Sequence, residues 1–186
     1  MKSIQLVICF CTLFFFQGMA QEAPKNMLRF GFGSAYLGSG SNVGKLRYVE
    51  YNRRLFWRVS TSLSGGWTNG SLLMENDIEE RTKAYQGDIN LLFAPVQTKV
   101  NSIKLGGGAS YRYAKTTLES LDGQGIGISD PNMPLETDGY SLGYTAMAEY
   151  ELYIAKVLTI GTRVAFQKYE NSDRVFYWGL NAGIRF

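Results

Sequence analysis

The sequence predicts an all-β protein, an eight-stranded antiparallel up-and-down β-barrel that spans a membrane. Three observations predict it. Apolar and polar residues alternate with period two along eight segments, so each segment has one greasy and one wet face. The apolar faces are nearly free of charge, whereas the polar faces collect small residues and charges of both signs. Aromatic residues gather near both ends of the apolar faces, as they do at the two interfaces of a bilayer.

Ahead of the strands, residues 1–20 read MKSIQLVICFCTLFFFQGMA: one Lys, an apolar run from Ile4 to Phe16, then Gly18, Met19 and Ala20. This is the layout of a secretory signal peptide cleaved after Ala20. The run is short for a membrane anchor, and Cys9 and Cys11 lie inside it with no small residues before either, against a lipoprotein signal. Cleavage removes both cysteines, so the exported chain has neither thiol nor His and needs no disulfide. Residues 21–186 form a single barrel domain, with no repeat and no linker.

The first strand, Met27–Leu37, sets Leu28, Phe30, Phe32 and Tyr36 against Arg29, Gly31, Gly33 and Ala35. The second, Val43–Tyr51, is the least regular; it sets Leu46 and Tyr48 against Lys45 and Arg47, with a bulge expected near Glu50. Leu55–Trp67 sets Leu55, Trp57, Val59, Leu63 and Trp67 against Arg58, Ser60, Ser62 and Ser64. Tyr85–Phe93 turns Gln86, Asp88 and Asn90 to its polar side, and Ile103–Tyr113 turns Lys104, Ser110 and Arg112. Tyr140–Leu152 is the longest clean alternation, with Ser141, Thr145, Glu149 and Glu151 on the wet face. Leu158–Phe166 opposes its aliphatic face to Arg163 and Gln167. The last strand, FYWGLNAGIRF, alternates Phe176, Trp178, Leu180, Ala182, Ile184 and Phe186 with Tyr177, Gly179, Asn181, Gly183 and Arg185. Turns are expected at Asn52–Arg54, Ala94–Asn101 and Tyr153–Lys156. Short loops are expected at Gly38–Asn42 and Tyr169–Asp173, and long ones at Asn69–Lys83 and Thr116–Asp138.

A soluble barrel of this size has an apolar lumen and a polar outside; a membrane barrel has the reverse. The charges decide between them. Arg29, Arg47, Arg58, Asp88, Lys104, Arg112, Glu149, Glu151, Arg163 and Arg185 share the polar faces. On a lipid-facing wall each Lys or Arg would cost roughly 2–4 kcal/mol at the bilayer midplane. Inside a narrow lumen they can interlock. Seven of these are positive and three negative, and Glu149 and Glu151, two apart on one strand, are the expected hubs.

The closing stretch resembles the C-terminal signature of bacterial outer-membrane barrels, alternating apolar or aromatic residues that end in Phe, carried here by Phe176, Trp178, Leu180, Ile184 and Phe186. With the signal peptide, strand count and loop pattern, the whole chain resembles the small eight-stranded barrels of the OmpA and OmpX type. The resemblance implies residence in the bacterial outer membrane among its lipids, recognition of the last strand by the barrel-assembly machinery, and termini and short turns on the periplasmic side. The long loops then face the exterior.

Little points to catalysis. Without His there is no Ser-His pair. The stretches GSGSNVG and GGGAS do not have phosphate-loop spacing; the first reads as a loop, the second as strand packing against bulky luminal neighbours. DGQGIGISD lacks the ligands of a calcium loop at Gln124 and Met133. No cofactor, no metal and, at a formal charge of +3, no nucleic-acid partner is expected. The expected function is non-enzymatic: a monomeric barrel presenting extracellular loops for envelope integrity, adhesion or surface contact. The alternative is a narrow channel for small or hydrophobic solutes. The loops 69–83 and 116–138 are acidic, with Glu75, Asp77, Glu79, Glu80 and Glu119, Asp122, Asp130, Glu136, Asp138, and are candidate ligand surfaces.

Overall fold

A computed structural model describes residues 25–37, 42–74, 78–120, 135–171 and 173–186. The signal-peptide segment, Cys9 and Cys11, most of GSGSNVG, and DGQGIGISD lie outside the described residues. Eight strands follow in chain order: β1 (Asn26–Leu37), β2 (Asn42–Phe56), β3 (Val59–Met74), β4 (Ile78–Gln97), β5 (Asn101–Ser120), β6 (Leu135–Tyr153), β7 (Leu158–Tyr169) and β8 (Arg174–Arg185). Each pairs antiparallel with the next, and β8 closes on β1. A rung that starts at Asn26 passes through Arg53, Thr61, Leu91, Gly107, Ala146, Phe166 and Phe176 and returns to β1 at Tyr36, ten residues further on. Such a stagger inclines the strands by about 35–45° to the barrel axis. Closure pairs the ladder groups that an open sheet would leave at its edge, as hydrocarbon requires.

The alternation sorts side chains as expected on seven strands. Phe30, Phe32, Tyr85, Ile89, Tyr144, Trp178 and Leu180 stand outside; Arg29, Asp88, Lys104, Glu149 and Arg163 are buried within. The second strand is reversed. Leu46 and Tyr48 point inward, 1% and 4% exposed, while Lys45 and Arg47 point outward. Arg47 is therefore not luminal. The reason is Glu50. A one-residue slip exchanges the two faces of a strand, and the observed face brings Glu50, fully buried, against Arg29 and Arg163. The opposite face would place that carboxylate in lipid and leave two buried guanidinium groups short of a partner, a heavier cost than one lysine and one arginine near the interface. Tyr48 then fills the lumen. Its hydroxyl accepts from Asn181 at 3.2 Å, and the Arg163 guanidinium lies 4.7 Å from its ring centre.

Several connections are also shorter than expected. The β2–β3 turn lies at Trp57–Arg58 rather than Asn52–Arg54, with Trp57 at φ 35°, the left-handed backbone that a two-residue hairpin uses. Leu55 belongs to β2 and Trp57 to the turn. The bulge falls between Arg54 and Phe56, not at Glu50. The stretch 69–83 is mostly strand, since β3 and β4 stay paired from Asn69↔Lys83 to Met74↔Ile78. Likewise β5 and β6 pair out to Leu118↔Leu135 within the expected loop 116–138. Backbone pairing outlasts the hydrophobic alternation because it continues where neither face meets lipid. Beyond Gly143↔Tyr169, β6 has no β7 partner among the described residues. A tongue built from β3, β4, β5 and β6 thus stands clear of the barrel at the end opposite the three hairpin turns. These two ends are termed the loop end and the turn end.

Candidate functional site

The strand alternation brings six ionised side chains to one level of the lumen: Arg29 from β1, Glu50 from β2, Lys104 from β5, Glu149 and Glu151 from β6, and Arg163 from β7. Arg29 donates to Glu151 at 2.6 Å, to Glu149 at 2.9 Å and to Glu50. Arg163 donates through Nε to Glu149 at 2.6 Å and through Nη2 to Glu50. Lys104 Nζ reaches Glu151 at 2.9 Å. All six are nearly fully buried. Three cations face three carboxylates, so the cluster is neutral and each charge has a hydrogen-bonded counter-charge, the condition under which charge is tolerated away from water.

Above it, toward the loop end, lies a second and different arrangement. Asp88 accepts from Gln167 at 2.7 Å, Ser64 at 3.2 Å, Thr145 at 3.3 Å and Ser110. Tyr169 donates to Gln167 Oε1 at 3.0 Å, fixing that amide. Around these packs an apolar luminal cluster that includes Leu46, Tyr48, Leu92, Met147, Tyr169, Val175 and Tyr177. The lumen is thus not polar throughout. Gly106 of the GGGAS run sits against Leu92 and the β4 backbone, the bulky neighbour expected from the sequence.

The remaining charges lie near the barrel's two ends. Arg112 pairs with Asp173 at 3.2 Å, in the β7–β8 connection at the loop end, and lies 5.6 Å from the centre of the Tyr169 ring. At the turn end Arg58 donates to the Pro95 carbonyl at 3.0 Å and stacks over Trp57. Arg185 donates to the carbonyls of Ala155 and Lys156 at 3.0 and 2.9 Å and lies 4.2 Å from the Tyr153 ring centre. Of the ten charges expected in one network, Arg29, Lys104, Glu149, Glu151 and Arg163 meet in it. Asp88, Arg58, Arg112 and Arg185 are held separately, and Arg47 is outside. Glu50 is the member the sequence reading missed. The excess of seven positive over three negative charges was its signal, since an eight-stranded lumen cannot hold that imbalance.

Glu149 and Glu151 are engaged by cations on both sides, which leaves neither free for acid–base work. Phe176, Trp178, Leu180 and Ile184 of β8, and Phe186 just after it, are all exposed on the outer wall. The backbone of Phe186 exchanges two 3.0 Å hydrogen bonds with Asn26, which extends the seam to the last residue.

A closed antiparallel barrel with paired charges within and an apolar wall without is a transmembrane β-barrel, and eight strands place it among the small outer-membrane barrels. No family model matches the chain, and no curated protein matches it; solved structures do. The crystal structure of Ail, the attachment invasion locus protein of Yersinia pestis, superposes with a TM-score of 0.62 at 15% identity, over 88% of this chain and 99% of that one. Neisserial surface protein A superposes with a TM-score of 0.59 at 10% identity, over 87% and 96%. The outer-membrane protein OprG of Pseudomonas aeruginosa gives 0.62 at 9% identity, over 90% and 98%. At these identities the likeness is one of fold.

Proposed function

We propose that the protein is a non-enzymatic, monomeric outer-membrane barrel that holds its β3–β6 tongue and adjoining connections outside the cell, for adhesion, envelope integrity or surface contact. One observation carries this reading: the Arg29–Glu50–Arg163–Glu149 cluster bridges β1, β2, β6 and β7 across the lumen, so the strands serve as a pedestal rather than a pore. The tongue supports it further. The flank of β6 from Leu135 to Ser141, beyond the Glu170 N–H to Leu142 carbonyl bond of 2.9 Å, offers backbone donors and acceptors to an extended segment of another chain. The acidic stretches 69–83 and 116–138, which contribute Asp138 on the exposed face, suit a basic or cation-bearing partner. Residues 1–20 act as the export signal, and the turn end with Phe186 lies in the periplasm.

In planar bilayers the purified wild-type barrel is expected to be electrically silent. Steady single-channel conductance would overturn the pedestal reading in favour of a narrow solute channel. Intact cells displaying the barrel are expected to bind a surface or partner that cells expressing a variant trimmed of residues 72–80 and 118–136 do not bind. Equal binding by both would remove the tongue from the function.

The outward residues of β8 are assigned to recognition by the barrel-assembly machinery. Deleting Phe186 removes an aromatic and two seam hydrogen bonds. The deletion strain is expected to synthesise the chain normally but to accumulate several-fold less heat-modifiable folded barrel in its envelope. Unchanged folded levels on semi-native gels would contradict the assignment.

A further inference from the structure

The reversal of β2 leaves a feature that the pedestal does not use. Lys45 and Arg47 point out of the barrel. Across the sheet, Lys45 pairs with Asn69 and Asn69 with Lys83, which also points outward. Lys115 of β5 continues that rung, and Asp138 of β6 ends it, its carboxylate accepting a 2.9 Å hydrogen bond from Tyr113. Arg47 is one rung nearer the turn end, beside Phe32 on one flank and Trp67 on the other. Lys45, Arg47 and Lys83 carry no ion pair among the described residues.

Their surroundings locate them. Trp67 and Tyr85, paired with each other, project from the outer wall in the rung of Arg47; Leu63 and Ile89, further toward the turn end, are apolar and exposed. The three cations therefore stand where the apolar wall ends. A guanidinium and two ammonium groups there are disfavoured by hydrocarbon and satisfied by anionic headgroups. Adjacent strands are about 4.8 Å apart, so Lys45 and Lys83, two strands apart on one face, are spaced to straddle a single phosphate with Arg47 beneath it. In the next rung toward the turn end the paired Gly65 and Gly87 present bare backbone between Val49 and Tyr111; a Cβ at Gly65 would meet nothing within 4 Å. An acyl chain descending from that phosphate has this furrow to lie in. At the turn end, Arg53 is the exposed basic side chain on the outer wall among the described strand residues, and Lys25, Lys99 and Lys156 are exposed in the segments that flank the strands.

We propose that Lys45, Arg47 and Lys83 form a binding site for the phosphate headgroup of an anionic lipid in the leaflet at the loop end, with its chain against Gly65 and Gly87. The proposal rests on the barrel being membrane-embedded, so insertion is scored separately from lipid capture. The test is native mass spectrometry of the full barrel released from phosphatidylcholine nanodiscs doped with phosphatidic acid. Wild type is expected to retain phosphatidic acid over phosphatidylcholine by roughly tenfold, the scale of a few charge-assisted hydrogen bonds. The triple variant K45Q/R47Q/K83Q should lose that preference, Arg47→Gln alone should lose part of it, and Arg53→Gln should keep it, with all four showing the same heat-modifiable band. Equal retention of the two lipids by wild type, or undiminished retention by a folded Arg47→Gln or triple variant, would overturn the site. Displacement of the lipid by inorganic phosphate would overturn it in favour of a simple anion site. Failure of wild type to insert at all would instead refute the membrane barrel.

Discussion

Changing Glu50 to Gln is expected to lower the barrel's resistance to unfolding and to open a conductance in a barrel that is expected to be silent as wild type. Glu50 binds Arg29 with one carboxylate oxygen and Arg163 with the other, and both arginines are almost completely buried. Removing the charge leaves two guanidinium groups against the carboxylates of Glu149 and Glu151, the latter already shared with Lys104. Breaking a buried pair by deleting one partner costs about 3–5 kcal/mol, and here one deletion unbalances a neutral cluster of six. The urea midpoint on semi-native gels should fall accordingly, and bilayer recordings should show openings as hydrated arginines part. Arg47→Gln, on the same strand but facing out, should change neither readout. A Glu50→Gln barrel as stable and silent as wild type would mean that the cluster does not close the lumen.

The second large effect comes from a residue with no side chain. A Cβ at Gly108 would run into the Ile89 carbonyl oxygen and come within 2.7 Å of the Asn90 Cα, both fixed backbone atoms of the neighbouring strand. Here β5 approaches β4 too closely for any inward side chain, so Gly108→Val must pry the two strands apart. The expected loss is at the upper end of the roughly 1–3 kcal/mol typical of overpacking, enough to remove most of the heat-modifiable band. Gly65→Ala is the counter-case. With nothing within 4 Å of the added carbon, it should fold at wild-type yield. Equal yields of the two variants would show that glycine at 108 reflects no close approach.

These two positions also show how much was legible in the sequence. The barrel, its strand number and the inward path of Arg29, Asp88, Lys104, Glu149 and Arg163 followed from period-two alternation, because lipid enforces that pattern strongly wherever it touches the wall. The face of β2 did not follow. Its two faces, Val43–Lys45–Arg47–Val49–Tyr51 and Gly44–Leu46–Tyr48–Glu50–Asn52, are similarly greasy, so hydrophobicity could not rank them. Their order depends on charges contributed by β1 and β7, a long-range term that no local window contains. Strand lengths at the loop end were missed for the opposite reason: β4 and β5 continue in ladder pairing after the alternation has stopped, so the sequence no longer marks them. The paired furrow at Gly65 and Gly87 is likewise visible only once the register is known.

The seam between β1 and β8 has a consequence for how the molecule comes into being. It joins Met27 to Arg185 and Leu37 to Val175, the greatest chain separations in the fold. Each other strand can zip onto its predecessor as it emerges, but this ladder cannot start until the final strand exists, and loop-closure entropy makes such distant pairing slow. Until then two unsatisfied edges and a continuous greasy surface coexist in one chain, the state most prone to clumping. The waiting time before the ring locks, rather than the depth of the final well, is therefore the vulnerable interval in this protein's life. Once locked, no strand can leave without breaking ladders on both sides, so release from the bilayer is governed by a barrier and not by an equilibrium.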